Sequence, residues 1–167
     1  MQSFFKSIVV ILIMLMGSAN AENSSSGNKW SFYTGIFDFS DDGKKSNLFG
    51  IQHINENLYR ESFLGMLQPV TGAMVTADNA GYVYTGFQIP YGSDSLIITP
   101  SFTPGLYSEG DGKDLGHVIE FKSEILVSIN LSSGSELGIS YNHISNASLG
   151  DDNPGANSYM INFIKKY

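Results

Sequence analysis

The chain has 167 residues, 42% hydrophobic and only 15% charged, with 18 glycines, 9 tyrosines, 11 phenylalanines and no cysteine. That composition suits one domain, disfavours a helical bundle, and removes disulfides, thiolate metal sites and thiol nucleophiles together. A formal charge of −7 and a pI near 4.7 leave no basic footprint, so no nucleic-acid partner is expected.

Residues 1–21 have the pattern of a secretory signal: Lys6 precedes an apolar run from Ile8 to Met16, and Ala19-Asn20-Ala21 offers small residues to a peptidase. As a helix that run rises only about 14 Å, roughly half a hydrocarbon core, so cleavage after Ala21 is expected rather than anchoring. Residues 22–167 then form the mature domain. Along it, polar–apolar alternation rich in aromatic and β-branched residues predicts strands at 30–39, 47–54, 63–77, 81–91, 96–107, 117–129, 136–146 and 157–166. The connections are rich in Gly, Asn, Asp and Ser, which supply positive φ or side-chain-to-backbone bonds in turns. Pro69, Pro100 and Pro104 fall inside these segments and predict bulges or breaks there.

Eight strands fit a soluble barrel, a sandwich or a small outer-membrane barrel. In 117–129 one face reads His117, Ile119, Phe121, Ser123, Ile125, Val127, Ile129, and the other Val118, Glu120, Lys122, Glu124, Leu126, Ser128. Alternation alone leaves open which face is inside. The last strand decides it. Tyr159, Ile161, Phe163 and terminal Tyr167 share a face, interrupted by Lys165, as in barrels whose final strand lies against lipid and ends in an aromatic girdle. The expected fold is therefore all-β, an eight-stranded antiparallel up-and-down transmembrane β-barrel. A secreted soluble β domain that binds a ligand is the less favoured alternative. With both termini periplasmic, the connections near Asp41 and at 78–79, 108–116 and 148–156 face outward, while those at 55–61, 92–94 and 132–135 are periplasmic turns.

In 136–146 the parity of Leu137, Ile139 and Tyr141 also carries His143 and Ser145, and Asn157 shares parity with Tyr159 and Ile161 on the next strand. Polar groups on a lipid-facing surface are expensive and usually mark function. Residues two apart on a strand lie on one face about 6.6 Å apart along the backbone, which lets an imidazole take a proton from a neighbouring hydroxyl as that oxygen attacks an ester. A third polar group would hold the other ring nitrogen, and N–H groups would stabilise the oxyanion. Taken alone, His-x-Ser fits an ordinary interfacial pair as well.

Two stretches carry a resemblance across essentially the mature chain. His143-Ile-Ser145-Asn146-Ala147, followed by Asn153-Pro154-Gly155, resembles the outer-membrane lipid A 3-O-deacylase (PagL-type, acyloxyacyl hydrolase) family, as does the segment from Pro104 to Phe121 with Lys113, Asp114, Gly116 and Glu120. The resemblance implies a serine esterase on the barrel exterior that removes the 3-O-linked acyl chain of lipid A in lipopolysaccharide, at the bacterial cell outer membrane. By position it implies His143 as general base, Ser145 as nucleophile and Asn146 as an oxyanion-hole residue. The family's triad glutamate falls at Asn157. An amide can fix the imidazole tautomer but cannot neutralise the imidazolium, so the sequence predicts a weakened enzyme, rescue by Asp151 or Asp152, or a catalytically inactive barrel with a structural or lipid-binding role.

Other motifs carry less. His53 and His117 lack metal-ligand spacing, Asp111-Gly112-Lys113-Asp114 lacks the ligand pattern of a calcium loop, and Gly110-Asp111-Gly112 lacks the helix of a phosphate loop, so no metal or organic cofactor is expected. Glu120, Lys122 and Glu124 share the inward face and predict an interior ion-pair network. The expected partners are lipid A and outer-membrane lipid, with a homodimer left open.

Overall fold

The computed structural model describes residues 27–41, 43–93, 95–131 and 134–167, so the expected signal at 1–21 lies outside the described residues. Eight long strands run in chain order: β1 (Asn28–Phe37), β2 (Ser46–Asn55), then, after the three-residue β3 (Arg60–Ser62), β4 (Gly65–Thr76) and β5 (Gly81–Gln88). After the equally short β6 (Tyr91–Ser93) follow β7 (Leu96–Ser108), β8 (Ile119–Leu131), β9 (Ser135–Ser145) and β10 (Ala156–Lys166). Each long strand pairs antiparallel with its neighbours in the order β2-β1-β10-β9-β8-β7-β5-β4, and β2 pairs with β4 to close the cylinder. Closure leaves no sheet edge among the long strands, the condition for a β structure to sit in hydrocarbon.

Which face is inside is now read directly. Ile139, Ile161 and Phe49 are 67%, 59% and 58% exposed on the outer wall, whereas Lys122, Gln52, Asn142 and Ser158 are buried in the interior. Apolar side chains outside and polar ones inside is the inversion that marks a membrane barrel, and it sets aside the soluble alternative. The interior is filled rather than open. The Tyr33 and Tyr84 hydroxyls meet at 2.9 Å, Tyr84 donates to Gln52 Oε1 at 3.0 Å, and Lys122 Nζ lies 4.0 Å from the Tyr84 ring centre and 3.1 Å from Glu124 Oε2. Gly50 faces the Tyr33 ring so closely that a Cβ there would lie 2.0 Å from it, and Gly72 stands likewise against the Tyr84 hydroxyl. The many glycines and tyrosines of the composition are thus two halves of one packing device. Glu120 departs from the expected interior network: it is fully buried and neither carboxylate oxygen has a hydrogen-bond partner.

The prolines behave differently from expectation. Pro69 stands opposite Phe87, Pro100 opposite Ile125 and Pro104 opposite Phe121 in unshifted register, so no bulge forms. A strand residue points its N–H at only one neighbour, so a proline loses a bond on one side. At Pro104 that loss shows between β5 and β7, where pairing skips from Tyr84↔Gly105 to Phe87↔Phe102. The expected strand 63–77 starts later, because Ser62 to Gly65 form a tight turn with Gly65 at φ +119° and Phe63 98% exposed. The expected strand 81–91 is split, with Pro90 between β5 and β6.

Four connections gather at one end of the barrel: β1–β2, β4–β5, β7–β8 and β9–β10. The two longest lie there, and they lock to each other and to the first. Lys113 Nζ reaches Asp38 Oδ2 at 2.5 Å and Asp41 Oδ2 at 3.5 Å, and Asn146 Nδ2 donates to the Leu115 and Asp152 carbonyls, both at 2.8 Å. This end holds the candidate site.

Candidate active site on the outer wall

β9 and β10 pair so that His143 stands directly opposite Asn157 and Tyr141 opposite Tyr159, all on the outer wall. Cross-strand neighbours on one face have Cβ atoms about 5 Å apart, which brings their polar ends within bonding reach. His143 Nδ1 and Asn157 Oδ1 are 2.9 Å apart. The Tyr141 hydroxyl donates to the same Oδ1 at 2.7 Å. Ser145 follows His143 by two residues and shares its face by alternation; its partner on β8 is Phe121. The structure therefore joins His143 to Asn157 by a direct bond and places Ser145 beside them on the same strand face.

Because Oδ1 can only accept, the bond requires the proton on Nδ1 and leaves Nε2 with its lone pair. Gly155, at φ +60°, sits against the ring: a Cβ there would lie 2.9 Å from Cε1 and 3.4 Å from Nε2. Absence of a side chain at 155 keeps the basic edge of the imidazole open.

Asn146 lies inward, as strict alternation implies, and its side chain stands apart from the oxyanion role that the family resemblance implies. It is fully buried; its Nδ2 is committed to Leu115 and Asp152, and its backbone N–H to Asn153 Oδ1 at 3.1 Å. Alternation turns it inward, so the side chain anchors the loops and does not face Ser145. Beyond it the chain makes a turn closed by Leu149 N–H to the Asn146 carbonyl at 3.0 Å, with Ala147 at φ +53° and Ser148 at +64°. Two consecutive non-glycine residues in the left-handed region cost roughly 1–2 kcal/mol each and are characteristic of functional turns. The closing bond does not use the N–H groups of the two central residues.

Asp38 and Ser40, to which no sequence motif points, complete the polar group. Asp38 Oδ1 accepts from the Asn157 backbone N–H and from Ser40 Oγ, both at 3.3 Å, and Asn157 Nδ2 donates to Ser40 Oγ at 3.2 Å. Their one sequence signal is an Asp-x-Ser at a turn; nothing local ties it to a residue more than a hundred positions away. Asp151 and Asp152 are exposed loop residues. His53 packs on Trp30 with ring centres 4.8 Å apart, and His117 Nδ1 accepts from Ile119 N–H at 3.0 Å, starting β8. Among the described residues no group of three or more His, Cys, Asp or Glu is arranged to hold a metal.

Aromatic rings flank the site on both sides. Phe39 packs against Tyr159 (4.4 Å) and Tyr141 (6.3 Å), while Phe121 stacks on Phe102 (5.9 Å), which in turn meets Phe87 (6.2 Å). Such a belt lies at the boundary between headgroups and acyl chains. Below it a shallow groove of about 750 Å³ runs along the wall from Tyr141 and Tyr159, lined by Ile36, Ile125, Ile139 and Ile161.

Fold and site together define a class: an outer-membrane barrel with a His, Ser and amide constellation on its lipid-facing wall instead of in a lumen. The sequence profile of the lipid A 3-O-deacylase (PagL) family matches residues 25–165, and the chain belongs to that family. Its fold is similar to the crystal structure of the outer membrane enzyme PagL, with TM-score 0.64 and 18% identity over 83% of this chain and 99% of that one. It is also similar to a de novo designed transmembrane β-barrel, with TM-score 0.57 and 13% identity over 88% and 100% of the two chains. No curated protein matches the chain.

Proposed function

We propose that the protein is a serine esterase that hydrolyses the 3-O-linked acyl chain of lipid A in the outer leaflet, with no metal or organic cofactor. The observation that carries this reading is the 2.9 Å bond between His143 Nδ1 and Asn157 Oδ1 on the lipid-facing wall, which leaves the Nε2 lone pair free, with Ser145 two residues further along the same strand face. His143 Nε2 takes the Ser145 hydroxyl proton as Oγ attacks the ester carbonyl carbon. The resulting oxyanion is met by the N–H groups of the Ala147–Ser148 turn, which Asn146 anchors from behind. Collapse breaks the C–O bond, and the imidazolium returns its proton to the departing sugar 3-oxygen. Water, deprotonated by the same ring, then releases the fatty acid from Ser145. The apolar groove below Tyr141 and Tyr159 suits the severed acyl chain, and the aromatic belt suits the depth of the ester. Asn157 orients the ring without neutralising its charge. This favours a slow enzyme and keeps a catalytically silent barrel as the second reading.

Mass spectrometry of lipid A from cells expressing wild type, Ser145→Ala and His143→Ala separates the two. Loss of one acyl chain with wild type, reduced about 10³-fold or more by either substitution, is the expected result. An unchanged lipid A mass with wild-type protein present in the membrane establishes the silent barrel.

A further inference from the structure

The polar chain behind His143 has a direction, and the direction has a source. We infer that Asp38 is a positioning residue for the imidazole: acting through Ser40, its carboxylate sets which end of the Asn157 amide faces His143, and so which ring nitrogen carries the proton. The assignment deepens the esterase reading above and rests on it.

A carboxamide presents a donor at one end and an acceptor at the other. If it turned over, Nδ2 would face the ring, Nδ1 would have to accept, and the proton would sit on Nε2, where it blocks base catalysis. Tyr141 cannot choose between these states, because a hydroxyl can donate to Oδ1 or accept from Nδ2 equally. Ser40 cannot choose by itself for the same reason. Asp38 can. An ionised carboxylate only accepts, so the single Ser40 hydrogen goes to Asp38 Oδ1 (3.3 Å) and leaves a Ser40 lone pair for Asn157 Nδ2 (3.2 Å). That places Oδ1 at His143 and Tyr141, at 2.9 and 2.7 Å. Asp38 is held for this task. It is 1% exposed, sits at φ +48°, pairs through Oδ2 with Lys113, and takes the Asn157 backbone N–H on Oδ1. The carboxylate absent from position 157 is therefore present two hydrogen bonds away, where it supplies orientation without direct contact to the ring.

Ser40→Ala breaks the link while sparing the Asp38–Lys113 pair and the Asp38 bond to the Asn157 backbone. In ¹⁵N-histidine-labelled protein in detergent micelles, the wild-type His143 ring should carry its proton on Nδ1, and Ser40→Ala should move part of the population to Nε2. The same substitution in an N157E background should change neither tautomer nor rate, because a carboxylate has no donor end. Deacylation of lipid A should fall about fivefold to tenfold on Ser40→Ala in the natural background only, the penalty for losing one neutral hydrogen bond that holds the amide. An unaltered tautomer in Ser40→Ala, or an equal loss of activity in both backgrounds, overturns the inference. If wild type deacylates nothing while the tautomer still responds to Ser40, the esterase reading fails and the positioning role stands.

Discussion

Lys122 and His143 are near neighbours across one pair of strands, since Lys122 stands opposite Ile144, yet they face opposite sides of the barrel wall. Inside, the Lys122 ammonium is closed off by Glu124 and the rings of Tyr84 and Tyr33, and no polar end of it points at anything that enters or leaves. On the other face, the chain Asp38–Ser40–Asn157–His143 is satisfied link by link up to Nδ1 of the exposed His143 ring. Both networks obey the same rule, that a polar group removed from water needs a partner. They differ in what is left over. The Lys122 ammonium is enclosed on the inside, which suits a packing role; the exterior chain ends in one ring nitrogen that no hydrogen bond from the described residues occupies, which suits chemistry.

Substitutions sharpen this contrast in a definite order. Lys122→Met strips Glu124 of its partner in the interior and should lower barrel stability by about 3 kcal/mol, measured by urea unfolding in lipid vesicles, while activity per folded molecule stays near wild type. A large loss of activity in the folded fraction would mean the two networks are coupled through the wall. Gly155→Ala should act mainly at the site: its Cβ would press on the imidazole edge, so deacylation per folded molecule should fall about tenfold, while alanine at φ +60° should lower stability by only about 1 kcal/mol. Tyr141→Phe removes one of the two bonds accepted by Asn157 Oδ1 and should lower the rate about twofold to threefold. If it matches Ser40→Ala in size, holding the amide in place matters as much as setting which way round it lies.

Much of the barrel was legible because strand period and turn chemistry are local. All eight long strands were anticipated, with ends displaced by one to three residues in most cases, such as His117 standing before β8 and Asn146 after β9. The sidedness of the wall was harder to read: the alternation in 117–129 is the same whether charges face in or out, the aromatic face of the last strand is the one sequence signal for it, and closure around Lys122 and the tyrosines agrees with that signal. The prolines interrupt a ladder at Pro104 but bulge no strand, because an antiparallel strand spends each N–H on one side and tolerates a single loss. At the site, parity on adjoining strands put His143 and Asn157 on one face, whereas the register that sets them directly opposite each other comes only from the pairing of β9 with β10. Asp38 and Ser40 did not, since their link to Asn157 spans the closure of the barrel from β1 to β10 and leaves no trace in local spacing. The inward turn of Asn146 was implied by strict alternation, whereas its bonds to Leu115 and Asp152 depend on how two distant loops fold together.

In the proposed reaction, an imidazole that opens sideways onto lipid meets its reactants by diffusion in two dimensions. Turnover at His143 should therefore follow the mole fraction of the target lipid in the leaflet, not its amount per volume of solution. Diluting that lipid with inert amphiphile should slow the reaction even when total concentrations are held constant.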